Sequence, residues 1–254
     1  EVTQRIAALE VVLAKAREHV QACQREQERL RHASGDANTR LEVLRRMHES
    51  GAGLFAGVKA VTVAGREGQV PGVLGTVAEL IEVPAEFEVA VEVALGGRLQ
   101  DVVMASWQDA EQAIGWLKRR NAGRATFQPL DTVRASHSSP PVQVQRLPGS
   151  YGVAADLVTA HDGVETVVLA LLGRTLVVDD LETTRAALRD LGTGWSVVTL
   201  GGEIARSGGS VTGGSAVRES GTLSRERELR ELPEHIVRLQ REAAAAAQIA
   251  AEAE

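Results

Sequence analysis

The chain has a single cysteine, Cys23, and only 3% aromatic residues among its 254 residues. One cysteine excludes an intramolecular disulfide framework and a multi-cysteine zinc site built by one chain. No apolar run approaches the roughly 20 residues that a membrane-spanning helix needs. Lysine is scarce too: only Lys15, Lys59 and Lys118 occur, and none follows a glycine, as a Walker phosphate-binding loop requires. What remains is a chain whose core is mostly Val, Leu, Ile and Ala.

The first residues and the net charge of the chain argue against a secreted protein and against a broadly basic nucleic-acid-binding protein. Glu1 to Gln4 carry neither a basic nor an apolar stretch, so we expect no signal peptide and a cytosolic compartment. The chain begins without Met and ends in an alanine-rich helical pattern, which suggests a fragment. Its formal charge is −6, and no segment is strongly basic. Bulk charge therefore does not support non-specific nucleic-acid binding, and such a role needs a local patch.

Residues 6–48 follow a seven-residue repeat that is typical of a coiled coil. Two mostly apolar seams alternate at spacings of three and four, with Glu, Arg and Gln between them. The seam positions are Ile6, Leu9, Leu13, Ala16, Val20, Cys23, Gln27, Leu30, Ser34, Ala37, Leu41, Leu44 and His48. Because Ser34-Gly35 disfavours helix, we expect a local loosening there.

The C-terminal segment repeats this pattern. Its seam positions are Leu229, Leu232, Ile236, Leu239, Ala243, Ala246, Ala250 and Ala253. Pro233 lies off the seam and costs about 3 kcal/mol inside a helix, so we expect a break or restart near 231–233. Each helix could bury its seam against another molecule. The sharper interpretation is an antiparallel pair within one chain, because the middle segment begins where one helix ends and finishes where the other starts.

Residues 51–221 lose the heptads, gain Gly and Val, and are predicted to contain an internal duplication. The sequence Ala-Leu-Gly-Gly-Arg-Leu at 94–99 matches Leu-Leu-Gly-Arg-Thr at 171–175. In both, a predicted helix ends at Gly-Arg, and a Val-rich strand and an acidic amphipathic helix follow. A Ser/Pro-rich connector separates the halves, and residues 156–158 after it are predicted to be extended. The predicted division is an arm at 1–50, subdomains at 51–134 and 151–221 with a linker at 135–150, and an arm at 222–254.

Glycine is concentrated near the end of the middle segment, where Gly208, Gly209, Gly213 and Gly214 flank Val211 and its neighbour. One interpretation is a floppy surface loop. We favour a strand at an interface, because glycine beside a strand often marks the close approach of another backbone. The glycine doublets also recur at a five-residue spacing around a β-favouring Val-Thr pair.

The densest basic cluster consists of Lys118, Arg119 and Arg120, with Arg124 shortly after. It is either a solvated helix C-terminus, where the helix dipole favours cations, or a patch that contacts phosphates. No nucleophile and base form a catalytic constellation, and no two histidines lie three or four residues apart. The sequence therefore predicts no catalytic residue, no metal site and no cofactor.

Three motifs in this order resemble the hinge domain of bacterial SMC (structural maintenance of chromosomes) proteins, from about Gly51 to Ser215. They are Gly-Gly-Arg-Leu-Gln-Asp-Val-Val at 96–103, Gly-Arg-Ala-Thr-Phe-Gln-Pro-Leu at 123–130 and Gly-Gly-Ser-Val-Thr-Gly-Gly-Ser at 208–215. The resemblance implies an α/β (α+β) globular hinge of two similar subdomains, inserted between two helices that form an antiparallel intramolecular coiled coil. A related family joins through zinc held by Cys-x-x-Cys at the arm apex, which the single cysteine excludes.

The resemblance also implies a function, the homodimerisation of a chromosome condensation and segregation ATPase through this hinge, which joins two coiled-coil arms. It places Gly208, Gly209, Gly213 and Gly214 at the dimer interface, and the basic cluster at a candidate DNA contact. For the full-length protein it implies ATP at the heads, a kleisin subunit, and a cytoplasmic, nucleoid-associated location without membrane contact. The fragment itself is not expected to be an enzyme. The alternative is a DNA-binding module whose dimerisation is incidental.

Overall fold

A computed structural model of the chain describes residues 1–135, 138–214 and 221–253. Two residues of the predicted linker, 136–137, and Ser215 of the glycine motif lie outside the described residues, as do 216–220. The chain divides into two compact units. We call Glu1–Ser50, together with the chain from Glu228 onward, the arm, and Gly51–Arg227 the head. None of the described helices is both long and apolar enough to cross a membrane.

Helices and strands are interspersed along the head. The helices are α1 (Val2–Ser50), α2 (Ala56–Arg66), α3 (Glu88–Leu95), α4 (Trp107–Arg120), α5 (Val142–Gln145), α6 (Glu165–Leu172), α7 (Leu181–Asp190) and α8 (Thr222–Ala253). The strands are β1 (Val73–Thr76), β2 (Ile81–Glu82), β3 (Val102–Met104), β4 (Phe127–Pro129), β5 (Ser150–Val153), β6 (Thr159–Ala160), β7 (Thr175–Val178), β8 (Ser196–Thr199), β9 (Ile204–Arg206) and β10 (Val211–Thr212). Short 3₁₀ helices lie at Gly96–Gln100 and Ala154–Leu157.

The arm is an antiparallel pair of helices, as predicted. Leu30 of α1 packs with Leu239 and Ala243 of α8. Arg40, further along α1, forms a salt bridge of 2.7 Å with Glu228, which comes earlier in α8. Rising numbers on α1 therefore meet falling numbers on α8. The two seams bury each other around Leu30 and Leu239, whereas Ile6, Leu9 and Leu13 near the start of α1 are exposed.

Two predicted interruptions of these helices are wrong. α8 begins at Thr222 and runs through Pro233 without a break. Buried contacts beyond the proline, at Ile236 and Leu239, hold the helix in place. Burial on the partner helix stabilises a helix more than propensity does, and it offsets the missing N–H. α1 is also continuous through Ser34-Gly35. Ser34 is buried there, and its carbonyl accepts a hydrogen bond of 2.9 Å from the side chain of Asn38.

The two halves of the head repeat one sheet pattern, in agreement with the predicted duplication. β1 is antiparallel to β3, which is parallel to β4. In the same way β5 is antiparallel to β7, which is parallel to β8. β1 and β5 each carry a register shift that includes a glycine with positive φ, Gly75 in one and Gly152 in the other. β2 pairs with β6 across the halves, and the largest apolar cluster joins residues of both, such as Val91 and Leu176.

The sheets differ at one edge. The first has the order β1-β3-β4, and the second has the order β10-β9-β8-β7-β5. The hairpin of β9 and β10 therefore covers β8, whereas its counterpart β4 is an edge strand. This difference positions the candidate site described below.

Two local predictions in the middle of the head need correction. The connector contains the short helix α5, and Val144 within it is fully buried. Residues Ala154–Leu157 form a 3₁₀ helix rather than an extended segment, and only Val158 after them is extended. The cause is tertiary, because Ala154 and Ala155 are buried where the chain bends from β5 towards β6.

Candidate dimer interface

The predicted strand at the glycine motif is β10, which forms a hairpin with β9 and is an edge of the five-stranded sheet. The N–H of Arg206 donates to the Ser210 carbonyl over 2.9 Å, and the N–H of Gly209 donates to the Arg206 carbonyl over 2.8 Å. Gly209 has a φ of +94°. This combination closes a three-residue hairpin loop with a left-handed residue at its end.

The backbone groups of Val211 face the open side of β10. Facing residues of an antiparallel ladder alternate between hydrogen-bonded and non-hydrogen-bonded pairs. Arg206 and Ser210 are a bonded pair, so the next pair, Ala205 and Val211, is not. The N–H and C=O of Val211 therefore point away from β9, and its side chain is 62% exposed. Such an edge is a template for a strand of another chain.

The four candidate glycines differ in their surroundings. A Cβ on Gly208, Gly209 or Gly214 would meet no atom of the chain within 4 Å. Gly209 and Gly214 have φ values of +94° and +129°, so their backbone conformation alone favours glycine. A Cβ on Gly213 would lie 2.8 Å from Cγ of Glu203, which is a constraint within the chain. Of the four, Gly208 alone has neither constraint.

Glu203 supports β10 from inside the sheet, and the sequence reasoning missed it. Its carboxylate accepts a hydrogen bond from the hydroxyl of Thr199. The backbone N–H of Glu203 in turn donates to the hydroxyl oxygen of Thr199 over 3.1 Å. Thr199 is fully buried. Because Glu203 also lies against Gly213, it fixes the end of the edge strand. The Gly-Gly-Glu turn before the motif was the only signal, and it does not reveal this contact.

β4 is one of the two edge strands of the three-stranded sheet, and β1 is the other. Gln128 on this strand donates a hydrogen bond of 2.8 Å to the carboxylate of Asp101, which is only 5% exposed. Burial raises the pKa of Asp101, and the bond from Gln128 and the charge of Arg98 oppose that rise. A cavity of about 150 Å³ beside the start of β4 is lined by Arg124 and Asp101 among others. β4 is thus anchored on its inner side and open on its outer side.

The basic cluster lies on α4 and just beyond it. Lys118, Arg119 and Arg120 form the last turn of the helix, which ends at Asn121 with a φ of +50°. These three side chains and Arg124 are exposed. The guanidinium of Arg120 lies 4.7 Å from the ring centroid of Trp116, close enough for a cation–π contact. In the described part of the chain none of the four forms a salt bridge, so their charge is directed to solvent.

The chain is similar in sequence to a known family and to several known proteins. The sequence model of the family described as SMC proteins Flexible Hinge Domain matches residues 70–188. The chromosome partition protein Smc of Desulfitobacterium hafniense is 37% identical over 222 residues, or 86% of this chain. Its namesake from Bacillus subtilis is 34% identical over 211 residues, or 82% of this chain. The chain spans 18% of the length of each of these relatives.

The crystal structure of the Geobacillus stearothermophilus SMC hinge domain, described as an asymmetric dimer, superposes with a TM-score of 0.84 at 31% identity. The match covers 95% of this chain and 97% of that one. The chain belongs to the SMC hinge family. The resemblance drawn from the three motifs is therefore confirmed, and so is the mixed fold with flanking helices. In this SMC hinge, β4 and β10 are each an edge strand of a sheet within the described residues.

Proposed function

We propose that this chain is the homodimerisation hinge of an SMC chromosome-partition ATPase, at which two copies join their coiled-coil arms. The observation that carries the proposal is the edge strand β10, with the backbone groups of Val211 facing outward and open space beside Gly208. The Geobacillus hinge, which this chain resembles, is described as a dimer, which supports the proposal.

In this proposal β10 of one copy pairs with β4 of the other. The duplication supports this choice, because a hairpin covers β8 and nothing in the described chain covers its counterpart β4. Each copy offers one β10 and one β4, so a two-fold axis forms the contact twice and closes the assembly. Subdomain 51–134 contributes β4, and subdomain 151–221 contributes β10. Paired strands lie about 4.8 Å apart, so such pairing brings the backbones of the two copies into direct contact at this edge.

The proposal extends to a longer protein of the kind that the relatives are, since this chain spans 18% of the length of each of them. ATPase heads that bind ATP, a kleisin subunit and association with the nucleoid belong to that whole protein. They are inferred from membership of the family and from relatives named chromosome partition protein Smc.

Light scattering over a dilution series tests the dimer. We expect a mass near twice 27.0 kDa for the wild type, and a weaker dimer for Gly208→Ala. The added methyl group meets nothing in its own chain, so any loss of dimer affinity reflects a contact with the partner copy. Overpacking at an interface costs about 1–3 kcal/mol, which raises Kd roughly 5- to 150-fold. Gly192→Ala is the matched control, since Gly192 is also open and free of positive φ.

Two results would contradict the proposal. A wild-type chain that stays monomeric at high concentration would remove dimerisation as its function. Equal dimer affinity in Gly208→Ala and Gly192→Ala would show that the glycine hairpin is not the interface.

We propose DNA contact as a second function of the head, at Lys118, Arg119, Arg120 and Arg124. The exposure of all four side chains and the absence of salt bridges to them among the described residues favour it. The overall charge of −6 means that binding depends on this local patch and not on a general attraction.

The salt dependence of DNA binding distinguishes this contact from a merely solvated helix end. Replacing Arg119 and Arg120 by Ala is expected to reduce the slope of log K against log salt by about 2, since each phosphate contact contributes roughly 0.9. Arg185→Ala with Arg189→Ala is the control, because α7 is the counterpart of α4 and both arginines are exposed. Equal slopes for the two double variants would refute the assignment.

A further inference from the structure

Helix α3 holds the first turns of α8 through two carboxylates. Glu92 Oε1 accepts a hydrogen bond of 2.8 Å from the N–H of Thr222, the first residue of α8. Glu88, which is only 8% exposed, accepts one of 2.6 Å from Nε of Arg227. Residues four apart lie on one face of a helix, so both carboxylates face α8. The first N–H groups of a helix have no partner within it, and α3 supplies one.

The adjacent face of α3 packs on the turn between β8 and β9. A Cβ on Gly202 would lie 3.1 Å from Cγ1 of Val89 and 3.4 Å from Cγ2 of Val93. These valines follow Glu88 and Glu92 by one residue each, which rotates their face by about 100° around the helix. One short helix thus contacts the start of α8 on one face and the turn at Gly202 on the next.

The contacts continue from this turn to the open edge. Glu203, the residue after Gly202, binds the hydroxyl of buried Thr199. Its side chain lies against Gly213, directly after β10. A continuous series of packed and hydrogen-bonded groups within the head therefore connects the first turn of α8 to the end of β10.

We propose that α3 is a positioning element that couples the docking of the first turns of α8, residues 222–227 of the head, to the placement of the β10 edge. The inference rests on the proposed function, because the affinity between two copies is its main readout. Close-packed elements shift as units rather than deform. Loss of the Glu92 contact lets α3 move, removes the support of Val89 and Val93 from the turn, and loosens β10. A force that lifts α8 from α3 would then weaken the association of two copies.

A pair of variants at one position isolates the coupling. Glu92→Ala removes the acceptor, whereas Glu92→Gln keeps a carbonyl oxygen in its place. We expect Glu92→Ala to weaken self-association roughly two- to thirtyfold, the range of a lost helix cap or of coupling between packed sites. Amide hydrogen exchange in Ile204–Arg206 is expected to accelerate by a similar factor, and Glu92→Gln to stay near the wild type. Both quantities are measured on the whole chain.

Two further variants keep the test decisive. Arg40→Gln removes the salt bridge to Glu228 in the arm without touching α3, and it is expected to change neither readout. If Glu92→Ala does not fold, Thr222→Pro removes the same hydrogen bond from the other side, because proline is tolerated at the first position of a helix.

The outcomes separate the coupling from the dimer. Unchanged affinity and exchange in Glu92→Ala would overturn the coupling, and so would equal weakening by Arg40→Gln. A wild-type chain that is always monomeric would refute the proposed function and leave the exchange measurement to decide. Faster exchange in Glu92→Ala than in Glu92→Gln then supports the coupling, and equal exchange refutes it.

Discussion

Val211→Pro is expected to dissociate the dimer while the head stays folded. The N–H of Val211 points to the open side of β10 and takes no part in the ladder with β9, so proline removes no bond within the chain. Proline is tolerated on edge strands for this reason. At the interface between two copies, the proline leaves a backbone acceptor of the partner strand without its hydrogen bond. This costs about 1–3 kcal/mol at each of the two symmetric contacts, so Kd rises at least roughly 30-fold.

The neighbouring and milder variants make this result specific. Val211→Ala keeps the N–H and is expected to retain most of the affinity. Thr212→Pro removes a donor that faces β9 and is expected to lower the melting temperature as well. Sedimentation at several concentrations gives Kd, and circular dichroism checks the fold. A Val211→Pro chain that dimerises like Val211→Ala would place the interface elsewhere.

Arg227→Met is expected to lower the free energy of unfolding by about 3 kcal/mol, because it leaves the Glu88 carboxylate buried without its charged partner. The side chains of Glu88 and Arg227 are 11% and 29% exposed, so water replaces little of the lost interaction. Methionine keeps the apolar stem and removes only the charge and its donors. Urea denaturation at pH 7 measures the change.

Two comparisons test whether the buried charge is the cause. Adding Glu88→Gln to Arg227→Met is expected to recover most of the loss, since a neutral amide costs far less to bury than a carboxylate. Arg40→Gln breaks the more exposed pair with Glu228 and is expected to cost about 0–1 kcal/mol. Equal losses for Arg40→Gln and Arg227→Met would contradict the special role of Glu88.

Sequence reasoning was most reliable where a structure depends on neighbours along the chain. The seam through Leu30 and Leu239 predicted the paired helices of the arm, because a heptad pattern reports which face of a helix is buried. The Val-rich strand predicted after the second Gly-Arg pair is β7 (Thr175–Val178). The same local reasoning was wrong at Pro233, where burial of Ile236 and Leu239 maintains the helix, and within 156–158, where packing bends the chain.

The sequence by itself determined the two helices, the duplicated order of elements and the strand within the glycine motif, since periodicity and strand propensity act over a few residues. Only the tertiary structure decided that β10 and β4 are open edges and that Glu203 constrains Gly213. It also decided that Glu88 meets Arg227, a residue 139 positions away in the sequence. The physical reason is that an unpaired edge or a buried charge depends on residues that folding brings together, and no spacing along the chain encodes those contacts.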